Sequence, residues 1–143
     1  MKKFAPALFA IWFLFFVNHA YGQWIHLGGP GHAYVNAIAV SGGNILALSG
    51  YLFLSTDNGT SWIVVDSGLT YNGVRCLAVS GSSFFTGTGG GVLLSTDSGK
   101  SWIAVNSGLT DTTVNSLAVS GSSIFAGTSN VDVSINLVIN YVV

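Results

Sequence analysis

Ser95-Thr96-Asp97-Ser98-Gly99-Lys100-Ser101-Trp102 is the stretch on which the reading of this chain turns. Its counterpart stands forty residues earlier, as Ser55-Thr56-Asp57-Asn58-Gly59-Thr60-Ser61-Trp62. Asp-Ser-Gly and Asp-Asn-Gly are turn sequences: Asp bonds local backbone N–H groups, and Gly supplies the positive φ of a tight hairpin. Apolar β-prone runs flank both octets, Leu52-Phe53-Leu54 and Trp62-Ile63-Val64-Val65 in one, Val92-Leu93-Leu94 and Trp102-Ile103-Ala104-Val105 in the other. Each octet therefore predicts a β-hairpin. The indole that follows is large enough to fill the gap between neighbouring sheets.

The octets sit in a longer repeat. Ala39-Val40-Ser41-Gly42, Ala78-Val79-Ser80-Gly81 and Ala118-Val119-Ser120-Gly121 recur at spacings of 39 and 40 residues and mark a first strand with its turn. Ile45-Leu46-Ala47-Leu48, Phe84-Phe85-Thr86-Gly87 and Ile124-Phe125-Ala126-Gly127 supply a second strand. A third strand leads into the octet, and a fourth starts at its Trp. A period near 40 with four short strands per unit marks a propeller blade. Each such sheet buries its apolar faces only against its neighbours.

Both octets match S-x-D-x-G-x-[ST]-W, which resembles the Asp-box, or BNR repeat, of sialidases, xyloglucanases, sortilin-type receptors and photosystem II assembly factors of the Ycf-type propeller group. The resemblance implies an all-β, propeller-like array in which the box joins the third and fourth strands of a blade, away from any active site. It implies a structural role for Ser55, Asp57, Gly59, Trp62, Ser95, Asp97, Gly99 and Trp102.

The two ends of the repeat region differ from its middle. Trp24-Ile25-His26-Leu27 resembles Trp62-Ile63-Val64-Val65 and reads as a fourth strand with no blade before it. The third copy runs normally through Thr128 and then loses the box. Its tail alternates, with Val131, Val133, Ile135 and Leu137 on one side, and predicts a strand. The expected total is about three blades, below the four to eight usual for a propeller. Two explanations stand open. The chain is a fragment of a longer exported repeat protein, or several chains associate through open blade edges to complete a ring.

Upstream of the repeat, Met1-Lys2-Lys3 is a positive n-region, Phe4 to Val17 an apolar stretch, and Ala20-Tyr21-Gly22 a site with small residues where a signal peptidase reads. Residues 1–22 are expected to be a signal peptide and residues 23–143 the repeat domain, placing the protein in the secreted or cell-envelope space. The apolar stretch falls short of the roughly 20 residues that span a bilayer, so no stable membrane span is expected after cleavage.

Composition excludes several chemistries. Half the residues are hydrophobic, 6% are charged, and there is no Glu. Beyond residue 22 only Arg75 and Lys100 face Asp57, Asp66, Asp97, Asp111 and Asp132, a net charge of −3. No basic patch for nucleic acid exists. Cys76 is the lone cysteine, in an apolar run, and reads as a small buried residue. His26 and His32 have no partners at metal-ligand spacing, so neither metal nor cofactor is expected.

Gly99-Lys100-Ser101 echoes the end of a phosphate-binding loop, but residue 94 is Leu instead of the required Gly, and a β-like run follows where a helix is needed. The glycines of Thr86-Gly87-Thr88-Gly89-Gly90-Gly91 suit a strand connection that needs positive φ. Asn58-Gly59-Thr60 is a glycosylation sequon on a hairpin tip.

Sialidase chemistry as the resemblance implies it needs three Arg and a Tyr–Glu pair, and this chain has one Arg and no Glu. Xyloglucanase-type hydrolysis needs two carboxylates across a cleft. Asp57 and Asp97 belong to the boxes, and Asp66 and Asp111 lie by inter-repeat turns with no evident cleft. No catalytic residue is assigned. The expected function is a non-catalytic binding or scaffold module for a protein or glycan ligand. The alternative is a remnant of a glycoside hydrolase whose catalytic residues lie outside this chain.

Overall fold

A computed structural model describes residues 28–29, 34–66, 69, 73–129 and 134–138. The expected signal peptide, the Trp24–Leu27 strand, His26, His32 and Asp132 lie outside the described residues. The described residues form three antiparallel sheets and no helix. The first sheet comprises β1 (Ala37–Ser41), β2 (Asn44–Ser49), β3 (Tyr51–Ser55) and β4 (Ile63–Val64), in that order. The second repeats the arrangement with β5 (Val74–Ser80), β6 (Ser83–Thr88), β7 (Gly91–Ser95) and β8 (Ile103–Ala104). The third holds β9 (Val114–Ser120), β10 (Ser123–Thr128) and β11 (Ser134–Val138).

Each expected blade is thus a meander. The fourth strands are shorter than the apolar runs predicted, with two residues each, and they begin one position after the Trp. Both indoles stand before the strand, where they are held by their own turn. The tail of the third copy pairs with β10 over Ser134–Val138, so the strand expected from its alternation is present.

Register decides which side chains share a face. In the first sheet Ala39, Leu46, Leu54 and Ile63 stand opposite one another in turn, and Ile38, Ala47, Phe53 and Val64 do so on the other side. The second sheet repeats this with Ala78, Phe85, Leu94 and Ile103 against Leu77, Thr86, Leu93 and Ala104.

Two joints follow from this alternation. In the first, Ala39, Leu46, Leu52 and Leu54 of the first sheet cluster with Phe84 and Leu93 of the second, with Leu77 and Val79 at the margin. In the second joint, Phe85, Val92 and Leu94 cluster with Val114, Ile124 and Ala126, with Ala78, Leu117 and Val119 at the margin. The second sheet is therefore covered on both faces, and its middle strands β6 and β7 are buried along almost their whole length. Leu46 and Phe84 are essentially sealed from solvent. Full burial of such a side chain stabilises by about 1.5–3 kcal/mol.

Polar contacts across the joints also join repeat-equivalent strands. Ser41 Oγ donates to the Gly81 carbonyl at 2.9 Å. Arg75 Nη1 donates to Asn115 Oδ1 at 2.8 Å, and Arg75 sits where the β5–β6 register shifts between Val74 and Cys76.

Candidate functional site

The two octets fold into the same hydrogen-bonded cage. At the first, Ser55 Oγ donates to Asp57 Oδ1 at 2.8 Å and accepts from the Gly59 amide at 2.7 Å. The Ser61 amide donates to Asp57 Oδ1 at 2.9 Å, and Ser61 Oγ to Oδ2 at 2.6 Å. At the second, Ser95 Oγ donates to Asp97 Oδ1 at 2.8 Å and accepts from the Gly99 amide at 2.8 Å. Asp97 Oδ1 also accepts from the amides of Lys100 and Ser101, at 3.0 and 2.9 Å, and its Oδ2 from Ser101 Oγ at 2.6 Å. Each indole Nε1 donates to the Gly carbonyl of its own octet at 3.1 Å. Trp62 Nε1 donates as well to the Gly28 carbonyl, at 2.8 Å.

The backbone of both tips is left-handed over two successive residues. Asn58 and Gly59 have φ of 56° and 88°, and Ser98 and Gly99 have 65° and 88°. Two positive φ values in a row are the mark of the hairpin turn whose twist matches the strands. Expectation had assigned positive φ to the glycines alone; Asn58 and Ser98 share it. Asn58 is exposed at the tip.

Electrostatics follow from the cage. The Ser61 hydroxyl first, then the Ser61 amide and Ser55, hold the Asp57 carboxyl down at about 2. The Ser101 hydroxyl and amide do the same for Asp97, also about 2. Both oxygens of each carboxylate are engaged inside their own turn, in the ionised form that accepts those bonds. Gly99-Lys100-Ser101 leads into β8, a strand, so the helix that phosphate binding would need is absent at that place.

Asn106 is a residue that sequence reasoning missed. Its Oδ1 accepts from the Val92 amide at 2.8 Å, and its Nδ2 donates to the Gly90 carbonyl at 2.9 Å. It ties the strand after the second octet to the β6–β7 hairpin. Gly91, with φ of 115°, leaves the room that the amide occupies. Its sequence equivalent in the first sheet is Asp66, which gives no signal of such a role in the repeat alignment.

A surface cleft of about 450 Å³ opens at the first joint, at the end of the sheets opposite the octets. Leu48, Tyr51 and Leu52 line it from the β2–β3 turn, Asp66 and Leu69 from the connection leaving the first sheet, and Val74 from the start of β5. This corrects one expectation: Asp66 does border a cleft. The cleft is built from turns of two different sheets, so no single stretch of sequence announces it.

At the second joint the corresponding place is closed. A Cβ on Gly87 would stand 2.5 Å from Cys76 Sγ and 2.6 Å from Val114 Cγ1, so only a glycine admits the fully buried Val114. Leu48 holds the Gly87 position in the first sheet and supplies a side chain where the second joint has none, and the cleft opens beside it. Cys76 is half-buried in this closed joint, and burial pushes its thiol above the ordinary value. Among the described residues no group of three or more His, Cys, Asp or Glu is arranged to hold a metal ion. Among them, too, no helix is long and apolar enough to cross a membrane.

No protein-family model matches the chain, and no curated protein sequence matches it. Solved structures do. YCF48, solved bound to D1 peptide, is similar with a TM-score of 0.51 and 24% identity, over 66% of this chain and 33% of its own. The computationally designed Ika8 protein is similar with a TM-score of 0.54 and 15% identity, over 70% of this chain and 32% of its own. The chain spans about a third of the length of these two structures. With its own antiparallel meanders and their covered faces, the likeness to YCF48 establishes a propeller-type all-β fold.

Proposed function

We propose that this chain is an exported, non-catalytic propeller-type module that binds a protein ligand in the cleft between its first and second sheets. Export rests on the sequence of residues 1–22. The observation that carries the binding reading is the position of the cleft. It lies where a strand-connecting turn of one sheet meets the connection into the next, at the end away from the two boxes. Apolar Leu52, Leu69 and Val74 offer contact area there, and Asp66 offers one negative group. That mixture suits a short peptide segment with an aliphatic and a basic side chain, and pockets of this size with few convergent polar groups are the usual seat of a ligand. The solved complex of YCF48 with D1 peptide supports a peptide over a glycan as the ligand. A structural role for both boxes is part of the same proposal, supported by carboxylates whose oxygens are already engaged within their own turns.

The test is an array of immobilised extended peptides that vary aliphatic and basic positions, probed with the labelled protein and with Asp66→Lys and Leu69→Glu. The proposal expects a subset of basic peptides to retain the protein, Asp66→Lys to abolish retention at an unchanged melting temperature, and Leu69→Glu, whose side chain also packs against the first joint, to abolish it with some loss of stability. Retention indifferent to both substitutions, or no retention by any peptide, would refute it.

A further inference from the structure

A glycine after asparagine leaves the backbone nitrogen between them unhindered, and that nitrogen can attack the side-chain amide carbon. Such pairs are among the chemically labile places of a chain. Two occur here, Asn58-Gly59 at the tip of the first octet and Asn72-Gly73. The second octet has Ser98-Gly99 at the corresponding place, and a serine offers no carbonyl carbon to attack. The difference sets the first tip apart from the second, although the two share one backbone geometry.

In the folded octet the nucleophile is occupied. The Gly59 amide donates to Ser55 Oγ at 2.7 Å. Gly59 is buried, and Ser55 is 1% exposed. A backbone nitrogen attacks only after losing its proton, and a proton held in a buried hydrogen bond is out of reach of hydroxide. Ser55 Oγ is fixed in turn by donating to Asp57 Oδ1 at 2.8 Å. Asn58, by contrast, is exposed, so solvent reaches whatever forms there. The hydroxyl that closes the turn thus keeps the nitrogen from the carbon.

We propose that Asn58 is a self-modification site gated by the Ser55 hydroxyl: opening of the first octet frees the Gly59 nitrogen, and the chain keeps that opening as a permanent change at residue 58. Hydroxide takes the proton of the Gly59 N–H, and the nitrogen bonds to Asn58 Cγ. The Cγ–Nδ2 bond breaks, and the departing nitrogen takes a proton from water and leaves as ammonia. Water then opens the five-membered imide at one of its two carbonyls, giving aspartate or isoaspartate. Either product sets a new carboxylate beside Asp57. The isoaspartate also carries Cβ into the main chain, and a hairpin turn whose register depends on its length does not absorb the extra atom. An octet changed in this way no longer recloses on Ser55.

The test is peptide mapping by mass spectrometry of the full chain held in mildly alkaline buffer, with and without urea, for wild type, Ser55→Ala and Ser95→Ala. The mass difference between amide and acid marks each site. Folded wild type is expected to convert Asn58 far more slowly than the same chain in denaturing urea. Ser55→Ala is expected to speed Asn58 by about tenfold or more while Asn72 keeps its wild-type rate. Ser95→Ala removes the equivalent hydroxyl from the other octet and is expected to leave Asn58 near wild type. Equal rates at Asn58 in the folded and unfolded chain would overturn the proposal. So would an equal rise at Asn72, or Ser95→Ala matching Ser55→Ala. If Ser55→Ala does not fold, wild type in sub-denaturing urea decides. Conversion of Asn58 is expected to rise in step with hydrogen exchange of the Gly59 amide, because both need the bond to Ser55 broken, and conversion that does not follow the exchange refutes the gate.

Discussion

Gly99 of the second octet lies against Leu46 of the first sheet: a Cβ built on Gly99 would stand 2.9 Å from Leu46 Cδ2. The turn that closes one sheet is thereby pressed onto the side chain that fills the joint with its neighbour. Two demands fall on the same glycine, a φ of 88° and a surface without a side chain.

Gly99→Ala tests both demands at once. The left-handed backbone costs an L-residue about 1–2 kcal/mol, and crowding a buried side chain adds about 1–3 kcal/mol. Gly108 has a φ of 86° and nothing near the place of a Cβ, so Gly108→Ala carries the backbone cost alone. Urea unfolding should rank Gly99→Ala clearly below Gly108→Ala in stability. Equal losses would show that Leu46 does not constrain the turn.

Acid should loosen both octets. Asp57 and Asp97 have carboxyls held down to about 2 from an ordinary 3.8. A depressed folded value means that the stabilisation is complete above the unfolded value and is lost as pH falls from about 4 toward 2. Asp57→Asn with Asp97→Asn keeps an acceptor oxygen at each turn and removes the titration. The unfolding midpoint of wild type should fall across that window more steeply than that of the double variant. Parallel curves would contradict the cage as the source of acid sensitivity.

Asn106 offers a test outside the octets. Asn106→Ala leaves the Val92 amide and the Gly90 carbonyl without their side-chain partner, at a cost of about 1–3 kcal/mol. Asn106→Asp has nearly the same shape but sets a carboxylate oxygen against the Gly90 carbonyl, so it should be no better than Ala at neutral pH. Amide exchange at Val92 should accelerate in both. Unchanged exchange would show that the hairpin holds without this residue.

The closed second joint predicts non-additivity. Gly87→Ala should destabilise by about 1–3 kcal/mol by forcing Cys76 and Val114 apart. Val114→Ala removes buried methyl groups and also destabilises. In the double variant the smaller residue 114 makes room for the new methyl, so the combined loss should be less than the sum. Additive losses would mean that Val114 does not press on Gly87.

The turns were legible because Asp, Ser and Gly declare hairpin geometry through local chemistry, within eight residues of one another. The four-strand period was legible because Ala39, Ala78 and Ala118 recur in identical surroundings. What lay beyond the sequence depends on contacts between distant segments. Asn106 caps a hairpin 14 and 16 residues away. Asp66 and Tyr51 border the same cleft only because two turns converge on it. The apolar run from Trp62 to Val65 predicted a longer fourth strand than forms, because the indole is held by the Gly59 carbonyl ahead of the ladder.

The central claim is that the second octet turns a hairpin of its own sheet and packs it onto the first. The nuclear Overhauser effect between the α-protons of Gly99 and the methyl groups of Leu46 measures that contact directly. A strong cross-peak is the predicted result. Its absence, in a protein whose Ser95 hydroxyl still bonds the Gly99 amide, would contradict the stacking of the first two sheets.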